Sequence, residues 1–160
     1  MAKNVLLVAG LPGCGKTTYL REMERDGWFV FDDFKARAVD DSPRFQNSRH
    51  FPALIARLRE GIRCVVADID FCKTNSRAEA ERILGAEISG VEIGWLYFSH
   101  DERACEANIK HRNRDSLVDD LRALRTYSGV YSIPKGAEVR AVASGSAVQG
   151  SVKRAADVQA

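Results

Sequence analysis

The 160-residue chain is poor in several things that mark particular protein classes. It has four cysteines, Cys14, Cys64, Cys72 and Cys105, and none is spaced as Cys-x-x-Cys. That argues against a zinc site and fits reduced thiols in a cytoplasmic protein. No apolar run approaches the roughly 20 residues of a membrane span. The run Val5–Ala9 meets Gly10 at once and is too short for a secretion signal. No membrane association is therefore expected, and a cytoplasmic location is. An excess of one charge is also missing. Twenty-four Lys and Arg against 22 Asp and Glu leave +2, which neither requires nor excludes nucleic acid. The three histidines, His50, His100 and His111, are scattered and suggest no catalytic role. There is no internal repeat. No Asn/Thr-Lys-x-Asp motif occurs (Cys72-Lys73-Thr74-Asn75 is not one), so a switch GTPase is not expected.

The pattern of what is present reads as strands alternating with helices. Val5–Ala9 is a continuous apolar run, as in a strand buried on both faces of a parallel sheet. A helix is predicted over residues 16–25, stopped by Gly27. Strands follow at 28–31, 62–67 and 93–98, with a short last one at 138–142. Residues 35–50 read as a polar, irregular or partly helical insertion. Pro52 opens a helix that runs to Glu60. Ser76-x-x-Glu79 and Ser99-x-x-Glu102 have the form of capping boxes, predicting helices over about 77–84 and from the Ser99 box to about 111. Leu117, Leu121 and Leu124 recur at helical spacing. The expectation is an α/β, three-layer fold with a parallel five-stranded sheet ordered 2-3-1-4-5 and an arginine-bearing lid. Its bounds are 1–143, with 144–160 as a weakly ordered tail.

Gly10-Leu11-Pro12-Gly13-Cys14-Gly15-Lys16-Thr17 matches Gly-x4-Gly-Lys-[Ser/Thr] without a mismatch, with a strand before it and a helix after it. Glycines let backbone N–H groups wrap a phosphate, and the helix start adds its positive dipole end. Lys16 is placed to reach the β- and γ-phosphates. Thr17 is placed to bind Mg²⁺, and Thr18 extends the loop's contacts. ATP and Mg²⁺ are thus the expected cofactors. In Cys14, the backbone N–H rather than the thiol is expected to act.

Ligands of open α/β sheets sit beyond the carboxyl ends of the strands. Two predicted strands end there in acids. Asp68 closes Ile62–Ala67 as a metal-holding carboxylate would. Asp32 and Asp33 follow the second strand, where an acid can orient an acceptor hydroxyl and take its proton. Further along, Arg112 and Arg114 lie in a basic segment after the fourth strand, with Arg103 and Lys110 nearby. Arginines there can neutralise charge on a transferring phosphoryl group.

These segments together resemble small P-loop kinases of the polynucleotide 5′-kinase type and related AAA-family ATP-binding kinase-like domains. The resemblance runs from about Lys3 to Val142. It rests on the glycine loop, on Phe31-Asp32-Asp33-Phe34-Lys35, on Val65-Val66-Ala67-Asp68-Ile69-Asp70-Phe71, and on residues 108–115. It implies that Asp32 acts as general base and that Asp33, Lys35 and Arg37 contact substrate. Lys35 stands where the family has arginine, and Asp70 where it has asparagine. It also implies that Arg112 or Arg114 is the lid arginine.

The expected activity is ATP- and Mg²⁺-dependent transfer of the γ-phosphate to a hydroxyl, on a polynucleotide 5′-end or a small molecule. The alternative is a regulatory P-loop ATPase or switch with no acceptor but water. Asp32 favours the kinase, because a simple switch has no use for it. The partners are then a nucleoside triphosphate and either a single-stranded nucleic acid 5′-end or a small acceptor. For the former, Phe34, Phe45 and Phe51 with Lys35, Arg37, Arg44 and Arg49 are the candidate stacking and phosphate contacts, the alternative being that the phenylalanines are core and the charges solvated.

Overall fold

The computed structural model describes residues 4–35 and 44–143. Five parallel strands form one sheet in the order β2-β3-β1-β4-β5. They are β1 (Val5–Ala9), β2 (Phe29–Phe31), β3 (Cys64–Ala67), β4 (Ile93–Phe98) and β5 (Val139–Arg140). This is the predicted order. β1 lies at the centre, with Leu7 opposite Val66 on one side and Trp95 on the other. Helices cover both faces, so β1 and β3 have no solvent side to mark with polar residues. Val5, Leu7, Val8 and Ala9 are completely buried, and all four residues of β3 are buried.

The helices are α1 (Lys16–Arg25), α2 (Phe51–Arg59), α3 (Thr74–Glu87), α4 (Glu102–Arg112) and α5 (Leu117–Ser128). Two of their starts differ from the capping boxes. Ser76 lies inside α3, and its hydroxyl donates to Asp70 Oδ2 at 2.8 Å. A buried carboxylate takes that hydroxyl, and the helix begins at Thr74, three residues before the predicted start at 77. At α4, Asp101 rather than Ser99 is the cap, and its carboxylate accepts from the Ala104 N–H at 3.0 Å. Aspartate caps as well as serine, so the box pattern sat two residues too early. The insertion contributes a 3-10 turn, Phe45–Asn47. Arg37 and the expected tail 144–160 lie outside the described residues.

Of the two roles open to the phenylalanines, Phe34 and Phe45 take the core one, and Phe51 packs against it. Phe34 is fully buried, Phe45 is 2% exposed, and their rings stack at 4.8 Å. Phe51 meets Phe45 edge-to-face at 5.9 Å. Burying these rings fastens the insertion to the sheet, which takes them out of reach of any ligand. Among the described residues, no helix is long and apolar enough to cross a membrane.

Candidate functional site

The strand order changes direction at β1, which opens a crevice at the carboxyl end of the sheet. The loop between β1 and α1 fills its floor. Gly13 and Gly15 have φ of 84° and 106°, a left-handed backbone that side chains rarely adopt. At Gly13 the requirement is also steric, since a Cβ would sit 2.6 Å from the Cys105 carbonyl oxygen of α4. Asn108, also on α4, donates from Nδ2 to the Gly13 carbonyl at 2.9 Å and to the Ala143 carbonyl at 2.7 Å. Helix α4 is thus packed hard against the glycine loop.

Lys16 bends back over the loop. Its ammonium donates to the Gly10 carbonyl at 2.6 Å and the Leu11 carbonyl at 3.0 Å. An ammonium needs several acceptors, and these carbonyls supply them. The Cys14 Sγ lies 3.5 Å from the same nitrogen. Burial pushes the Cys14 thiol up despite that cation, and burial pushes Cys72 and Cys105 to about 12. These thiols are neutral packing groups, not thiolate nucleophiles.

The acids come from β2 and β3. The Thr17 hydroxyl donates to Asp32 Oδ2 at 2.7 Å, joining the loop to the end of β2. Asp68 ends β3 at 2% exposure, and its Oδ1 accepts the Asp70 N–H at 3.1 Å. Asp70 itself serves structure: Arg44 at 3.3 Å, Lys73 at 3.2 Å and Ser76 all bind its carboxylate. Between Asp33 and Lys35, whose φ values are 56° and 58°, Phe34 is driven into the core. Its N–H donates to the Ala67 carbonyl at 2.9 Å, and its carbonyl accepts from the Ser48 hydroxyl. Two left-handed non-glycine residues are strained, and the buried ring holds them there. Asp33 and Lys35 point outward, 3.9 Å apart, in a weak exposed pair.

A cleft of about 460 Å³ collects these groups. The loop from Pro12 to Thr18 lines it with Asp32, Asp33 and Asp68, and Arg112 and Arg114 close it from the end of α4. Gly10 and Leu11 lie outside the lining, and so do Lys35, Arg103 and Lys110. Lys110 pairs with Glu106 at 2.9 Å instead. Asn113, with φ of 47°, turns the chain between the two lid arginines. Burial, then the neighbouring charge of Arg114, lowers the Arg112 pKa. Both guanidiniums line the cleft beside the glycine loop, where their paired N–H donors suit an anion. Two further lining residues escaped the sequence reading, Arg21 and Asp120. Arg21 was legible, since it follows Thr17 by four residues and shares its helix face. Asp120, which accepts from Ser116 Oγ at 2.9 Å, reaches the cleft only through the turn between α4 and α5.

Among the described residues, no group of three or more His, Cys, Asp or Glu could hold a metal. Thr17, Asp32 and Asp68 are hard oxygen donors on one cleft, a set that suits Mg²⁺ completed by phosphate oxygens and water. Thr17 and Asp68 are the residues that would hold it.

Residues 5–132 match the family described as an AAA domain, and the chain belongs to that family. A gluconokinase from Sinorhizobium meliloti 1021 is similar in structure, with a TM-score of 0.56 at 17% identity over 99% of this chain and 94% of that one. A fungal RNA kinase is similar with a TM-score of 0.51 at 12% identity, over 89% and 78% of the two chains. The fold is therefore that of small P-loop kinases. A curated nucleotide-binding protein from Novosphingobium aromaticivorans is 50% identical over 38 residues, which are 24% of this chain and 12% of that protein.

Proposed function

We propose, with this AAA-domain membership as the premise, that the protein is an ATP- and Mg²⁺-dependent phosphotransferase acting on a hydroxyl acceptor. The observation that carries the reading is the 2.7 Å contact between Thr17 and Asp32. It holds a carboxylate beside the end of the phosphate loop, on the side away from the lid arginines. A nucleotide switch has no use for an acid there. The kinase names of both structural neighbours support the same reaction class.

In this reading the backbone N–H groups from Gly13 to Thr18 cradle the phosphates. Lys16 leaves the Gly10 and Leu11 carbonyls to meet the β- and γ-phosphates. Bound Mg²⁺ would neutralise charge on the phosphate oxygens. Asp32 accepts the proton of the acceptor hydroxyl as its oxygen attacks the γ-phosphorus. The bond from that phosphorus to the β–γ bridging oxygen breaks, and ADP leaves with the electron pair. Arg112 and Arg114 stabilise the charge on the transferring group. Loss of Phe34 and Phe45 to the core removes the stacking platform a polynucleotide would use, so a small hydroxyl acceptor is favoured over a long strand.

The test is Asp32→Asn, assayed for ATP binding and for labelled phosphate transfer to an accepted substrate. Binding is expected within about threefold of wild type, and turnover is expected to fall by about 10²- to 10⁴-fold. Transfer at the wild-type rate would remove Asp32 as the base.

A further inference from the structure

Among the described residues, Arg21 is a cation that lines the cleft and belongs neither to the glycine loop nor to the segment after α4. It and Thr17 are four residues apart on α1 and so share a face. Thr17 turns that face toward β2 through its bond to Asp32. A long side chain on a helix leans toward the N-terminal turn, and Arg21 lines the same cleft as Asp32 and Asp33. Lys16 belongs to the loop itself. Arg112 and Arg114 come from the opposite side, where α4 packs against Gly13. Arg21 is exposed and has no hydrogen bond or ion pair among the described residues. The cleft therefore keeps an unpaired guanidinium among its described residues, on the helix whose Thr17 binds Asp32.

We infer that Arg21 is a specificity residue for an acceptor that carries an anionic group, a carboxylate or a phosphate, close to the hydroxyl to be phosphorylated. A guanidinium binds either anion through paired N–H donors, with a fit that a neutral acceptor cannot match. The inference rests on the kinase reading. It adds that sugar acids and 3′-phosphorylated nucleosides are better acceptors than their neutral parents.

Two matched pairs test this in the full-length chain: D-gluconate against D-glucose, and thymidine 3′-monophosphate against thymidine. The readout is kcat/KM for labelled phosphate transfer, with KM for ATP measured alongside. The wild type is expected to prefer the charged member of at least one pair by about 10- to 100-fold, the worth of a charge-assisted hydrogen bond. Arg21→Ala should bring that preference close to one through a raised acceptor KM, and Arg21→Lys should restore part of it. KM for ATP should stay within about twofold, as checked with folding by circular dichroism. A carboxylate-only or phosphate-only preference identifies which anion is used. A preference that survives in Arg21→Ala overturns the assignment, and so does a rise in KM for ATP in place of the acceptor KM. If the wild type transfers phosphate to neutral acceptors alone, the anion claim fails while the kinase reading stands. If it labels no acceptor of either kind, both fail.

Discussion

At the residue scale, the side chains of the cleft are held by named partners. Lys16 donates to carbonyls of its own loop, at 2.6 and 3.0 Å, and the proposed function has it exchange them for a phosphate, a charge-assisted partner. Lys16→Ala should therefore lower ATP affinity by about 10²-fold or more while changing stability little, as read by titration calorimetry and thermal melts. The thiols give a pH prediction. Cys64, Cys72 and Cys105 are each raised by burial from 9.0 to about 12. A thiol raised by folding contributes stability that is present below its unfolded pKa near 9 and is lost as pH rises toward 12. Between those limits the unfolded chain has released a proton that the folded one keeps. Each thiol should make the unfolding free energy fall by about 1.4 kcal/mol per pH unit in that window. Denaturant titrations from pH 8 to 11 measure it, and a Cys64→Ala, Cys72→Ala, Cys105→Ala triple variant should show a shallower slope.

At the scale of elements, the decisive contact is between the glycine loop and α4. It rests on the Gly13 approach to the Cys105 carbonyl and on the two hydrogen bonds of Asn108. Gly13→Ala would combine a 2.6 Å clash against backbone with a φ of +84°. It should cost about 2 to 4 kcal/mol, or about 4–16 °C in melting temperature for a chain this size. Scanning calorimetry would register it, and wild-type stability would show that α4 yields more easily than the packing indicates. The elements also show what was readable before any coordinates. β1, α1 and the loop between them were legible because hydrophobic period, glycine spacing and the helix start all point the same way. The capping boxes were not. Ser76 is claimed by the buried Asp70 from another element, and Asp101 competes with Ser99 for one helix end. The first outcome depends on a partner that the local pattern does not contain, and the second on a choice between two neighbouring caps of similar strength.

At the scale of the whole molecule, the sheet order puts residues from four separate stretches of chain into one cleft. The strand-end acids were legible from the rule that open α/β sheets bind ligands at their carboxyl edge. Asp120 was not, because its place depends on how α5 folds back on α4. The role of Phe34 and Phe45 stayed open in the sequence for a similar reason. An aromatic among basic residues has the same local pattern whether it faces solvent or plugs the insertion into the core. A ligand that binds only the folded cleft stabilises the whole domain by mass action, so Mg²⁺ with ATP at about 100 times its dissociation constant should add about 2.7 kcal/mol. Differential scanning fluorimetry should show this as a rise of several degrees, absent in Lys16→Ala.

The central claim is that the γ-phosphate goes to a hydroxyl other than that of water. The most direct measurement follows radiolabelled γ-phosphate in the presence of Mg²⁺ and a panel of sugars, sugar acids, nucleosides and short 5′-hydroxyl oligonucleotides. Label in at least one organic product, formed faster than free phosphate and lost in Asp32→Asn, is the predicted result. Free phosphate as the sole labelled product, released at the same rate with and without every acceptor, would contradict the account and make the protein an ATPase.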